Sequence, residues 1–236
     1  MQHNPVSYFT RGQFVLAYFN CFLYWATEKK NRRRYFLGDS AVKEMFPQSV
    51  KLKEGLSIML EEIQAAVKAS HILDGDPNFN TVSKDLKWKA LYLRFYGPLD
   101  PLALEKCPKT CALLANLPEV KVAFVSILAP GGHITSHNGP YKGILRYHLG
   151  IQTPNDNECS LSICGEKYSW RDGEEVVFDD TYNHEVRNDT NKTRIILFVD
   201  FPRPFKNPVA RFVNETMIWA AQPFFHRWNS YQEKTE

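Results

Sequence analysis

The 236-residue chain lacks the marks of several protein classes. Charge of one sign is not in excess. Against 26 Asp and Glu stand 29 Lys and Arg, a formal net charge of +3. That is too weak an electrostatic footprint for nucleic acid, and no nucleic-acid motif is present. Cysteine is scarce and irregular: Cys21, Cys107, Cys111, Cys159 and Cys164 are an odd set without regular spacing. This argues against a disulfide framework and against a paired zinc-ligand motif, and a reducing compartment is the simpler setting. No internal repeat, low-complexity tract or interdomain linker is found. No apolar run reaches the ~20 residues that cross a bilayer.

The nearest approach to such a run is Phe14 to Ala26, followed by Lys29, Lys30, Arg32, Arg33 and Arg34. It has no basic leader and no small-residue cleavage site, so it is not read as a secretory signal. Two readings remain open for residues 1–36. One is a buried helix that caps the domain. The other is a helix at a membrane interface, with its aromatics at headgroup level and its basic cluster on anionic lipid.

What is present is globular: 44% hydrophobic and 14% aromatic residues, enough for one large domain over 37–236. Leu56, Met59, Leu60, Ile63, Ala66 and Val67 recur at helical spacing and predict an amphipathic helix over 55–70. Residues 74–87 read as a loop, and 89–96 as a strand ending at Gly97-Pro98. Pro108 can open a short helix that Pro118 ends. From Val120 the pattern changes to short strand-like runs at 120–128, 133–137, 143–150, 159–164, 167–170, 174–178, 182–187 and 193–201, many of them divided by turn residues. About eight such strands fit a jelly roll. The expected fold is mainly β with flanking helices, a cupin-like double-stranded β-helix with its core at about 118–204. A helix over 208–221 follows.

The β region carries the candidate chemistry. His137 stands in His-Asn-Gly-Pro, and His184 follows Asp179 and Asp180. Either histidine alone is as easily a surface residue as a ligand. Together, on different strands of one barrel, they can converge on a divalent metal such as iron(II), leaving positions open for other ligands. Arg194 opens an apolar strand, where it is either a rim residue or a two-point anchor for a carboxylate co-substrate. Arg146 and His148 alternate in Ile-Leu-Arg-Tyr-His-Leu, so both face one side of a strand, with Leu145, Tyr147 and Leu149 on the other. A buried arginine needs a partner: either a bound diacid or an internal carboxylate such as Asp179 or Asp180.

Three segments carry a family resemblance: HNGPYKGILRYHLGI (137–151), YSWRDGEEVVFDDTYNHEV (168–186) and RIILFVDFPRP (194–204). The stretch from about Trp88 to Pro204 resembles the aspartyl/asparaginyl β-hydroxylase family of iron(II)- and 2-oxoglutarate-dependent dioxygenases. WKALYLRFYG, CPKT, IQTPND and CGEKYSWRDGE are similar to the bacterial lipid A 2-hydroxylase group within it. The resemblance implies His137 and His184 as iron ligands and Arg194 as the partner of the distal carboxylate of 2-oxoglutarate. It implies Arg146, His148 and Ser126 as further co-substrate contacts, and O2 as the oxidant. Asp180 is a candidate second-sphere carboxylate acting through a water. Many enzymes of the wider superfamily carry a carboxylate two residues after the first histidine; Gly139 stands there, as the resemblance leads one to expect. The implied reaction hydroxylates an unactivated carbon, foremost the 2-position of a lipid A acyl chain. The alternatives are an aspartyl or asparaginyl side chain of a protein or peptide, a halogenase, and an inactive binding module. The implied location is the cytoplasm, peripheral on the inner face of a membrane.

Overall fold

The computed structural model describes residues 11–27, 36–37, 39–68 and 87–232. The predicted loop over 74–86 and the basic cluster at 29–34 lie outside the described residues.

Eight consecutive strands, β3 (Val122–Leu128), β4 (Gly132–His137), β5 (Ile144–Gln152), β6 (Cys159–Ile163), β7 (Glu166–Ser169), β8 (Glu175–Phe178), β9 (His184–Asn188) and β10 (Arg194–Pro202), build two antiparallel sheets. With β1 (Phe36–Leu37) and β2 (Trp88–Phe95), the larger sheet runs β1-β8-β5-β10-β3-β2, and the smaller runs β4-β9-β6-β7. Almost every step from β3 to β10 changes sheet, which is the eight-stranded jelly roll expected from the turn spacing.

The central strands β3 and β10 are buried almost end to end. Alternation sorts their side chains to two cores. Ala123, Val125 and Ile127 of β3, Leu145, Tyr147 and Leu149 of β5, and Ile195, Leu197 and Val199 of β10 face a layer of helices. That layer holds α2 (Asp39–Met45), α3 (Ser49–Glu54), α4 (Leu56–Lys68), α5 (Pro101–Lys106) and α6 (Pro108–Ala115). In α4, Met59, Ile63 and Ala66 are buried at the predicted spacing, whereas Val67 is exposed. The other faces of the strands, with Phe124, Ile196 and Phe198, meet Ile134, Leu161 and Val186 of the small sheet. The functional cavity opens in this second core.

Of the flanking helices, α1 (Arg11–Ala26) packs through fully buried Leu23 against Phe205 and Ala210 at the start of α7 (Pro208–Gln232). The α1 side chain of Asn20 also bridges to the β4–β5 connection, bonding the Pro140 carbonyl and the Lys142 amide. The helix predicted over 208–221 runs on to 232 through Pro223. That proline is exposed and removes one backbone bond without ending the helix. Among the described residues, no helix is long and apolar enough to cross a membrane, and the five cysteines are free.

Candidate active site

His137 and His184 are direct cross-strand partners at the ends of β4 and β9, their ring centroids 4.2 Å apart. An irregularity in β4 between Ile134 and His137 brings the first histidine into that register. Each ring is tied in the same way. Nδ1 of His137 lies 2.7 Å from the Thr135 carbonyl, and Nδ1 of His184 lies 2.8 Å from the Tyr182 carbonyl. A carbonyl only accepts, so each Nδ1 carries the proton and each Nε2 keeps its lone pair. This backbone tie fixes tautomer and ring angle as in metal-ligating histidines. Burial pushes both imidazoles down, His184 to about 3, where the neighbouring His137 adds to the effect. Both are neutral at physiological pH, the state a metal needs.

The segments that carry the two rings are laced together. Gly139 N–H donates to the Asp180 carbonyl and the Asn138 amide donates to the Thr181 carbonyl. Beneath them, buried Asp179 accepts from Lys142 and Arg203 and from the Thr181 hydroxyl. Burial pushes the Asp179 carboxyl up, but Arg203 and Lys142 outweigh it and hold it below the usual range.

Gly139 has a steric reason. A Cβ there would collide with the Asp180 carboxylate. Asp180 thus occupies the space that a side chain two residues after His137 would fill. Its carboxylate turns to Arg146, 3.0 Å away. Among the described residues no third His, Cys, Asp or Glu joins the imidazole pair to make a three-ligand cluster. Two neutral, oriented imidazoles fit a divalent metal that takes its other ligands from small molecules.

The cavity around the pair holds about 510 Å³ counting its open mouth, and Ser126, Arg146, His148 and Arg194 all line it. Two of these differ sharply in how their charge is met. Arg146 makes a two-point bond to Asp200, its cross-strand partner, at 2.9 and 3.0 Å. It also pairs with Asp180 and stacks on Phe198. Of the two openings left by the sequence, the internal ion pair is the one found, with Asp180 and Asp200 as partners. Burial, with Asp200 close by, pushes the Asp180 carboxyl up to about 6 against the pull of Arg146.

Among the described residues Arg194 has no such partner. It is 1% exposed, donates from Nη2 to Ser126 Oγ at 2.8 Å and stacks over Trp170. Its Nε is without a hydrogen bond, as are both ring nitrogens of buried His148 and Nε1 of Trp170. Burial pulls the guanidinium down to about 10, still charged at neutral pH. A buried, uncompensated cation costs several kcal/mol unless an anion meets it. This orphaned set is suited to the far carboxylate of a short diacid whose other end reaches the imidazole pair.

The sequence context of Trp88 and Trp170 does not mark either as part of the site. Trp88 Nε1 donates to Ser126 Oγ at 2.8 Å and so helps fix the hydroxyl that meets Arg194. An indole at the head of a strand gives no sign in the sequence of which group its N–H will hold.

The sequence matches the pattern of the Aspartyl/Asparaginyl beta-hydroxylase family over residues 53–204. The chain belongs to this family. An ornithine lipid ester-linked acyl 2-hydroxylase of Rhizobium tropici is 34% identical over 88% of this chain and 76% of its own length. The human aspartyl/asparaginyl beta-hydroxylase is 34% identical over 52% of this chain, which corresponds to 17% of that protein. Among solved structures, a Pseudomonas putida prolyl-4-hydroxylase aligns over 64% of this chain and 87% of its own, with TM-score 0.46 and 14% identity. As a member of the aspartyl/asparaginyl β-hydroxylase family, the protein is a hydroxylase on a jelly-roll scaffold.

Proposed function

We propose that the protein is an iron(II)- and 2-oxoglutarate-dependent dioxygenase that hydroxylates a lipid acyl chain at its 2-position. The observation that carries this reading is the pairing of two metal-ready imidazoles with an uncompensated guanidinium in one cavity. His137 and His184 would hold the iron through Nε2. Arg194, positioned by Ser126 and stacked on Trp170, would take the distal carboxylate of 2-oxoglutarate, with His148 beside it. Bound iron and 2-oxoglutarate together supply the activation of O2 and the oxidation of a C–H bond. The protein's part is orientation and exclusion of water: the aromatic and aliphatic walls keep the cavity dry, and the Asp179 network keeps both imidazoles in register. Asp180, bonded to Arg146, fills the space that a side chain at residue 139 would take, and is proposed to act on the metal through a water.

Two observations favour the acyl substrate. The name of the Rhizobium relative describes that chemistry. Arg146, the other cationic wall of the cavity, already has two carboxylate partners and offers no unmet charge to an acidic peptide side chain. Lipid A is the acyl lipid proposed first from the sequence, and ornithine lipid is the equivalent suggested by the relative. Aspartyl or asparaginyl hydroxylation is the second reading, resting on the similarity to the human enzyme. The acyl reading puts the protein in the cytoplasm, on the inner face of a membrane. The outer face of α1 supports this: Tyr18 and Trp25 are 79% and 66% exposed, with no charged residue between them.

Purified protein given iron(II), 2-oxoglutarate and air is expected to form succinate. Lipid extracts from cells expressing it should gain one oxygen on an acyl chain by mass spectrometry. Succinate formation with hydroxylated peptides and unchanged lipids would replace the acyl reading by the second one. No 2-oxoglutarate turnover with any substrate would remove both.

A further inference from the structure

We propose that a second, aromatic-lined groove beside the histidine cavity receives the apolar chain of the substrate. The proposal rests on the acyl reading above and assigns a part of the molecule that reading does not use.

The groove lies across the β2 end of the larger sheet, holds about 640 Å³ counting its open mouth, and takes its walls from Tyr92, Phe95, Tyr96, Tyr141 and Ile144. It shares Phe124, Arg146 and Phe198 with the histidine cavity, so the two spaces abut along one wall. A chain with its reacting end beside His137 and His184 would run past Phe198 into the groove.

Its aromatic character has a backbone cause. Along β2, Trp88, Ala90 and Tyr92 face the core between the sheets, while Leu91 and Leu93 face the helices. Strict alternation would then place Arg94 beside Tyr92. Instead the register to β3 slips between Tyr92 and Arg94. The slip returns Phe95 to the inner side, a local re-aiming of the kind bulges produce. Tyr96 follows with φ of +47°, a left-handed conformation that is costly for a bulky residue. Its ring packs edge-on against Phe95, centroids 5.5 Å apart. The opposite wall is fixed too, since Tyr141 OH donates to Asn214 Oδ1 on α7 at 2.7 Å.

The charges decide what fits. Among the described residues the charged groups lining the groove are Arg146, Asp180 and Asp200, and Arg146 bonds both carboxylates. The groove's one guanidinium is thus taken by two carboxylates and leaves no cation for an anionic side chain, while its largely aromatic surface suits a hydrocarbon chain, whose removal from water is favourable.

The test titrates the full-length protein with cis-parinaric acid, a fatty acid whose fluorescence rises in apolar surroundings. Phe95→Glu puts a carboxylate into a partly exposed wall, and Ile144→Trp fills the space instead. Phe212→Glu, on the exposed face of α7, is the control. Cooperative thermal unfolding checks each variant. Both groove variants should bind the probe about tenfold or more weakly, with the control within about twofold of wild type. Equal affinity in wild type and a folded Phe95→Glu would overturn the groove assignment and leave the acyl reading standing. Equal loss in Phe212→Glu would also overturn it, in favour of general surface adsorption. A wild-type protein that binds no probe would overturn the groove and the acyl reading together.

Discussion

On β10, Ile195, Leu197 and Val199 point to the helices, while Arg194, Ile196 and Phe198 point into the space between the sheets. Neighbouring β5 divides in the same way, with Leu145, Tyr147 and Leu149 on one side and Arg146 and His148 on the other. Both faces are buried, yet they are built to different ends. The helix-packed face of these strands is apolar except for the Tyr147 hydroxyl, which donates to Glu175. The cavity face holds polar atoms without partners, at a cost in stability that only a ligand can offset.

The sharpest break of that contrast is His184→Ala on the cavity face. Succinate formation should fall below detection, while the unfolding midpoint of the metal-free protein stays close to wild type. Next in size is Leu197→Ala on the other face. It should destabilise by about 2–5 kcal/mol in denaturant titration, with the dependence of the remaining activity on 2-oxoglutarate unchanged. Arg194→Met should raise the 2-oxoglutarate concentration needed for half-maximal turnover by about tenfold or more, the loss of a charge-assisted two-point bond. The same variant should unfold no earlier than wild type without ligand, because it removes a buried charge with no counterion. An earlier midpoint would mean that Arg194 is structural.

The smallest expected effect is a pH dependence. Burial, reinforced by Arg194, holds His148 well below the ordinary histidine range. In the unfolded chain it titrates near its usual value of about 6.5. The folded form therefore binds fewer protons below that value, and stability declines as pH falls from about 6.5 while above it nothing is lost. In the cofactor-free protein, His148→Phe should make the acid limb of the thermal midpoint shallower. An unchanged limb would assign the acid loss to other groups, Asp179 among them.

Much of this architecture was legible beforehand. Turn residues punctuate β3 to β10 at spacings that leave room only for short strands, and the observed strands fall where those runs were read. Period-two alternation put Arg146 and His148 on one face because nothing interrupts β5 there. The helices α2, α3 and α5 leave no periodic signal, since six or seven residues are too few for a 3.6-residue period to show. For α5 a local signal did exist: Asp100 accepts a capping bond from the Ala103 amide, with Pro101 next to it. The slips in β2 and β4 were invisible, because a bulge is a property of pairing with the neighbouring strand rather than of the residues in one strand.

The sequence alone determined the residue types and their periodicity: a jelly roll, two histidines separated by a return across it, and an arginine opening its last strand. These follow from local rules of chain direction and alternation. Which arginine would be left without a counterion was decided only in three dimensions. Asp200 sits opposite Arg146 through the pairing of β5 with β10, and Asp180 moves into the space left by Gly139. Charge compensation depends on distances of a few ångströms between residues dozens of positions apart, and only the packed chain sets those distances.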